Sequence, residues 1–292
     1  MRIAHLTDPH LTSLDGISPF ALKGKRRLGY LSWWRNRRRQ YRAEMLGRIT
    51  CALIADDPDV TFVTGDLVHL GLPAETARAR EWLERLSEHT QVVLVPGNHD
   101  CYRSDSIDHV YEQWARFLNI QPNDHSGFPS VLHKGLVSFI GLSSALPMPI
   151  WSAGGKIGRA QIKKLDRILN ETSGTFRCLG LHHPPLVGQV PGRKALADAA
   201  LLEGLIRKHG VELVLHGHVH CNRETVVEDR TRVMASASAS RVSGRNRASF
   251  RTFDVQASET QWQVTGRLKS VDDNGTAIVL SEQSWGIEKR YA

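Results

Sequence analysis

An α/β fold with a β-rich C-terminal part is what this 292-residue sequence predicts, on three observations. Short, largely unbroken apolar runs recur along the first three quarters of the chain, as in strands covered on both faces. Longer segments with helical spacing of apolar residues separate them. After His220 the texture changes to strand-like pieces divided by turn residues.

In chain order, Ile3 to Leu6 reads as a strand, Ala43 to Ala55 as a helix, Val60 to Val63 as a strand and Ala74 to Ser87 as a helix. Val92 to Val95 is the third apolar run, and helical spacing returns over Tyr111 to Leu118 and Gln161 to Leu169. Leu179 to Leu181, a helix over Ala195 to Lys208, and Leu213 to Leu215 complete the alternation. The part from about 221 to 292 holds strand candidates at Arg223 to Val227, Arg232 to Ala237, Phe250 to Val255 and Thr260 to Thr265. Small residues alternating from Ala235 to Ser240 suit a strand closely approached on its faces. The tail from Ser270 to Ala292 shows no pattern and is expected to pack on the sheet or hang from it. With no Pro/Gly/Ser linker, a single domain over residues 1–292 is expected.

Hydrophobic residues at 41% and charged residues at 23% describe an ordinary globular chain and exclude disorder. No apolar run approaches the roughly 18 residues a membrane span needs. Met1 runs straight into Arg2-Ile3-Ala4-His5 without a charged leader and long apolar stretch, so a cytoplasmic location is expected. The four cysteines form no C-x-x-C pair, against a zinc ribbon or redox motif, although Cys101 and Cys221 directly follow motifs described below. The net charge of +8 is local: residues 23–42 carry nine Lys or Arg and no acid, leaving the rest near neutral.

Each of the five apolar runs ends in polar groups able to bind metal: Asp8-Pro9-His10, Gly65-Asp66, Gly97-Asn98-His99-Asp100, His182-His183 and Gly217-His218-Val219-His220. In open α/β sheets, ligands collect at the carboxyl ends of strands, so these ends are expected to converge. In extended chain, residues i and i+2 point the same way, which pairs Asp8 with His10 and His218 with His220. The preceding glycines permit tight turns or close backbone approach. Carboxylate, amide and imidazole together suit iron, manganese or zinc, and seven candidates exceed the needs of one ion. Each motif alone is weak; five in this order, each after a strand, are not a coincidence.

D-x-H, G-D, G-N-H-[DE], H and G-H-x-H in this order resemble the motifs of the calcineurin-like metallophosphoesterase superfamily, from Asp8 to His220. The resemblance implies a four-layer αββα sandwich, two mixed β-sheets packed face to face with helices outside. It implies one metal held by Asp8, His10, Asp66 and His220 and a second by Asp66, Asn98, His182 and His218, with Asp66 as the bridge. The ions would be Mn, Fe or Zn, activating a bridging hydroxide for in-line attack on phosphorus. His99 would hydrogen-bond the phosphate or protonate the leaving oxygen, and Asp100 would orient His99. His183 would contact substrate or support its loop. His5 and His216 lie outside the pattern and read as satisfied structural histidines.

Between the first two motifs, a basic insertion of about residues 20–42 contains Trp33 and Trp34 among its arginines. It reads as a solvated helix start with aromatics packed on the body, as an element peripheral to the inner face of an anionic membrane through residues 23–42, or as a nucleic-acid contact. The compact chain with Gly97-Asn98-His99-Asp100 and His182-His183-Pro184-Pro185 is similar to bacterial cyclic-nucleotide and glycerophosphodiester phosphodiesterases. Hydrolysis of cyclic nucleotides or other small phosphodiesters is therefore the first expectation. A pyrophosphohydrolase on a lipid-linked nucleotide, like the UDP-diacylglucosamine hydrolases of the same superfamily, better accounts for the insertion. With no further DNA-binding module, no obligate nucleic acid is expected. The non-enzyme alternative is a metal-stabilised membrane or nucleic-acid binding module. Oligomeric state is left open.

Overall fold

The computed structural model describes residues 1–11 and 13–290; the last two residues of the patternless tail lie outside them. Twelve strands in the described residues build two six-stranded mixed sheets. In the first, the parallel strands β1 (Arg2–Leu6), β2 (Val60–Val63) and β3 (Gln91–Leu94) continue into antiparallel β10 (Phe250–Ala257), β11 (Gln261–Val271) and β12 (Ala277–Glu288), in the order β12-β11-β10-β1-β2-β3. The second contains β4 (Ser130–Lys134), β5 (Val137–Gly141), β6 (Phe176–Gly180), β7 (Leu213–His216), β8 (Arg223–Val227) and β9 (Thr231–Ala235), in the order β4-β5-β6-β7-β9-β8. Its four central strands are parallel and its two edge strands antiparallel.

The sheets pack face to face through large apolar side chains. Phe62 of β2 meets Phe139 of β5 edge-on at 6.3 Å, and Phe176 of β6 meets Trp262 of β11 at 5.8 Å. Helices α3 (Ala43–Ala55) and α4 (Pro73–Ser87) cover the outer face of the first sheet. The buried stripe of α3, Met45, Leu46, Ile49, Ala52 and Leu53, follows the helical period. Pro73 opens α4, where its missing N–H is no loss. Helices α7 (Arg159–Glu171) and α8 (Ala199–His209) place Leu165, Leu169, Leu202 and Ile206 against Ile140, Leu179 and Val214 of the second sheet. This is the expected four-layer αββα arrangement.

Several sequence expectations shift. The helix expected from Tyr111 begins earlier, as α5 (Ser104–Gln113), and α6 (Ala115–Leu118) follows it. The helix expected from Ala195 starts at Ala199, after a single 3-10 turn at Gly192–Lys194. Strand β9 stops at Ala235, so Ser236 to Ser240 is not strand; this buried segment crosses beside β1, with Ala239 N–H donating to Thr7 O at 3.0 Å. Its small residues serve that close crossing. The β4–β5 hairpin was not anticipated, and the patternless tail forms edge strand β12, whose mostly exposed side chains explain why no alternation marks it.

The insertion forms α1 (Lys25–Ser32), a π-helical turn at Trp33–Arg37 and α2 (Arg38–Gln40). Trp33 is buried in a cluster with Leu14, Leu22, Leu70 and Tyr102, whereas Trp34 stands 55% exposed. Arg26 clamps the loop before α4, donating to Leu70 O at 3.1 Å and Gly71 O at 2.8 Å, and pairs with Asp105. The run is thus partly a docked structural element, not wholly a solvated face.

Candidate metal centre

The parallel order of β1, β2 and β3 in one sheet and β6 and β7 in the other brings five strand ends to one edge of the sandwich. Asp8 N–H donates to Gly65 O at 3.0 Å, His10 N–H to Asp66 O at 3.1 Å and Gly217 N–H to His182 O at 3.0 Å, lashing the loops together. The alternation expected of extended chain is not how the side chains converge. Asp8, His10, Asp66, His218 and His220 all have left-handed backbone, with φ of 51°, 40°, 56°, 69° and 50°. Each such residue costs on the order of 1 kcal/mol or more, a strain held by the surrounding bonds and concentrated on the site. The adjoining glycines are sterically required: a Cβ on Gly97 would collide with Asp66 Oδ1, and one on Gly217 with Thr7 Oγ1.

Asp8, His10, Asp66 and His220 present donor atoms that all lie within 4.8 Å of one another. His220 Nε2 is 2.9 Å from Asp8 Oδ1, and His10 Nε2 is 4.0 Å from Asp66 Oδ2. On the other side of Asp66, its Oδ2 lies 3.4 Å from His182 Nε2, while Asn98 Oδ1 lies 3.2 Å from His182 Nε2 and 3.0 Å from His218 Nδ1. All seven candidates are therefore gathered around Asp66. Of the adjacent histidines, His182 faces this cluster; His183 turns to Ser144 Oγ at 2.8 Å and Ala153 O at 3.2 Å and supports its loop. His5 is satisfied by Thr64 Oγ1 at 2.9 Å and Ser236 Oγ at 3.1 Å, and His216 lies 3.2 Å from Gly217 O through its Nδ1.

Backbone carbonyls set the histidine tautomers. His10 Nδ1–H donates to Val68 O at 3.0 Å and His182 Nδ1–H to Thr64 O at 2.7 Å, so both rings turn Nε2 into the cluster. Burial, then the neighbouring His69, holds His10 well below the usual imidazole range, and burial with His183 does the same for His218. Both are neutral. Burial would lower His182 too, but the Asp66 charge overrides it and pushes it to about 9. Burial works against an ionised Asp66, yet His182 and His99 hold its carboxyl well below the usual range.

Asp100 is placed differently from expectation: it does not orient the His99 ring. Its Oδ1 accepts the backbone N–H of Leu67 and Val68 at 2.8 and 3.2 Å, and its Oδ2 those of Asp66 and Gly97, both at 2.8 Å. It is the pin that joins two ligand turns. Burial and then the Asp66 charge push its carboxyl up, toward about 8, while the N–H donors pull it back, because an oxygen taking two N–H bonds has no room for a proton. His99 is oriented by His69 O, 2.6 Å from its Nδ1, and by stacking on Tyr102.

Three side chains at this site had not been singled out. Arg37 Nη1 reaches to 2.8 Å from His99 Nε2, and Tyr41 Oη to 2.8 Å from His220 Nδ1, both from the insertion. His69 stacks on His10 at 4.9 Å. Gly65-Asp66 followed three residues on by a histidine was the one local signal available for His69; Arg37 and Tyr41 carried none beyond membership of the basic run.

The donor set fits divalent metal. His10 Nε2 and His218 Nε2 are buried without a hydrogen-bond partner among the described residues, an arrangement that costs about 1–3 kcal/mol per group unless a cation completes it.

Residues 1–222 match the sequence model of the calcineurin-like phosphoesterases. A protein of Synechococcus sp. named a probable cyclic nucleotide phosphodiesterase is 31% identical over 166 residues, 56% of this chain and 58% of that protein; the match thus spans little more than half of the relative. Among solved structures, a dimetal phosphatase from Danio rerio superposes with a TM-score of 0.63 at 12% identity, covering 99% of both chains. The purple acid phosphatase PPD1 of yellow lupin superposes with a TM-score of 0.64 at 13% identity, covering 100% of this chain and 54% of its own. At these identities the structural likeness is one of fold.

Proposed function

The chain belongs to the calcineurin-like phosphoesterase family, and from that premise we propose that it is a two-metal phosphodiesterase acting on cyclic nucleotides or other small phosphodiesters. The observation that carries this reading is the sharing of Asp66 between two donor clusters, Asp8/His10/His220 on one side and Asn98/His182/His218 on the other. A carboxylate suits the shared position because it has two anionic oxygens. Two bound divalent ions, Mn, Fe or Zn, would supply neutralisation of phosphoryl charge and a more acidic water. The protein's own contribution is to hold His10 and His218 neutral, to fix the His10 and His182 rings through backbone carbonyls, and to bury all seven side chains except the half-buried His220. His99, its Nδ1 tied to His69 O, has its Nε2 against Arg37 Nη1 at 2.8 Å, so it reaches the phosphoryl group or the leaving oxygen only where substrate displaces that guanidinium.

The test is turnover of bis(p-nitrophenyl) phosphate by metal-stripped protein reloaded in turn with Mn²⁺, Fe²⁺ and Zn²⁺. Asp66→Asn should cost at least 100-fold in kcat with the circular dichroism spectrum unchanged. If the loaded protein cleaves no diester, monoester or pyrophosphate, and chelation simply unfolds it, the reading yields to the metal-stabilised binding module.

A second reading has its own support. No helix of the described residues is long and apolar enough to cross a membrane, yet Leu28, Leu31 and Trp34 on the insertion are 53%, 40% and 55% exposed amid arginines. That suits peripheral contact with an anionic membrane and a lipid-linked pyrophosphate substrate. Replacing Trp34 and Leu31 with Ser should then impair only a detergent-solubilised lipid substrate; equal loss on soluble diesters would sink it.

A further inference from the structure

A cavity of about 690 Å³ opens directly beside the metal centre, with His10, His69 and Tyr41 in its wall. This is within the roughly 300–1,000 Å³ of pockets that hold small-molecule ligands. The rest of its lining comes largely from the insertion. Arg35, Arg38, Arg39 and Arg42 border it, with Asp15 the one acid among the described lining residues. Arg38 pairs with Asp15 at 3.2 Å. Arg35, Arg39 and Arg42 have no ion-pair partner among the described residues. The π-helical turn at Trp33–Arg37 contributes Trp33, Trp34 and Arg35 to this lining, and α2 contributes Arg38 and Arg39. π turns recur at functional sites.

An ordinary solvated basic face points its charges away from the body. Here the exposed Arg35, Arg38, Arg39 and Arg42 border a concave space that His10 of the donor cluster also lines. A cyclic nucleotide or simple diester carries its only charge on the reacting phosphoryl group, which belongs at Asp66 and its partners. That leaves the arginines with nothing to bind.

We propose that this cavity is a subsite for a second anionic group on the substrate, a phosphate beyond the one being cleaved, so that the enzyme acts on phosphoanhydrides or on diesters bearing a further phosphate. The guanidinium fork matches phosphate oxygens, and the exposed indole of Trp34 offers a flat apolar wall for whatever the phosphate carries. In the reaction, the water oxygen bonds to phosphorus and the bridging P–O bond breaks with its electron pair on the leaving oxygen, that of a phosphate in an anhydride and of an alcohol in a diester. One water proton goes to that group or to solvent. The proposal rests on the phosphodiesterase reading and sharpens its substrate.

Metal-loaded protein is assayed on bis(p-nitrophenyl) phosphate and on ADP-ribose, the latter read both as substrate and as competitive inhibitor of the former. The Arg35→Ala/Arg39→Ala double variant should raise the KM or Ki of ADP-ribose at least tenfold more than the KM of bis(p-nitrophenyl) phosphate. Added NaCl should weaken ADP-ribose selectively, since exposed charges are screened, and Arg39→Lys should keep part of the preference. If both constants move together, or if millimolar ADP-ribose neither reacts nor inhibits, the subsite is refuted while diester turnover by the unaltered protein still stands. Absence of diester turnover instead removes the phosphodiesterase reading.

Discussion

Replacing Asp100 with Asn separates a pin from a catalytic partner. The carboxylate divides four backbone N–H donors between two oxygens, Leu67 and Val68 on one, Asp66 and Gly97 on the other. Asparagine is nearly isosteric but keeps one acceptor oxygen, so two buried N–H groups would face an amide NH₂. At about 1–3 kcal/mol for each buried unsatisfied group, the cost is roughly 2–6 kcal/mol. That is a large fraction of the approximately 5–15 kcal/mol that holds a domain folded. Urea denaturation of metal-free protein, followed by tryptophan fluorescence, reads it directly: the midpoint should fall with the slope unchanged. Metal affinity should fall as well, because the turns bearing Asp66 and Asn98 are no longer joined. An unfolding free energy within about 0.5 kcal/mol of that of the unaltered protein, together with a collapse in kcat, would refute this and return Asp100 to the chemistry of His99.

Tyr41→Phe removes the group held against His220 Nδ1; first-metal affinity, measured by competition with a fluorescent chelator, should drop about 10- to 100-fold, whereas unchanged affinity would make the contact incidental. Trp33→Ala should destabilise the protein by about 3–5 kcal/mol, but Trp34→Ala, at an exposed ring, by less than about 0.5 kcal/mol; thermal unfolding of the pair distinguishes an anchored insertion from a loosely attached one. His5 is buried, and burial, then the charge of Arg251, holds it well below 6.5. The unfolded chain therefore binds a proton there that the folded chain does not. Its contribution to stability is complete above pH 6.5 and is lost as pH falls below it, by up to about 1.4 kcal/mol per pH unit. His5→Asn should flatten the dependence of unfolding free energy between pH 7 and 5, and an identical slope in the variant would contradict it.

The seven candidate donors and the order of the strands that carry them were legible because metal ligation calls for particular residue types, and strands buried on both faces need unbroken apolar runs. Ile3 to Leu6 before Asp8, and Val60 to Val63 before Asp66, state both requirements within a few residues. The role of Asp100 was not legible. Its partners are the backbone N–H groups of Asp66, Leu67, Val68 and Gly97, and every residue but proline carries that group, so no side-chain pattern marks them.

Edge strand β12 escaped notice for a related reason: most of its side chains face solvent, and alternation is written only where one face is buried. The left-handed backbone at five candidate ligand residues was hidden likewise, since Asp and His occupy positions that would usually announce themselves as glycine. Sequence by itself determined which candidate donor residues stand at the strand ends and which fold presents them. Only the tertiary structure decided that the insertion bends over those atoms and brings Arg37 to His99 and Tyr41 to His220. Those contacts join residues 62 and 179 positions apart, where no local spacing rule reaches, and their geometry follows from how Trp33 is buried against Leu14, Leu70 and Tyr102.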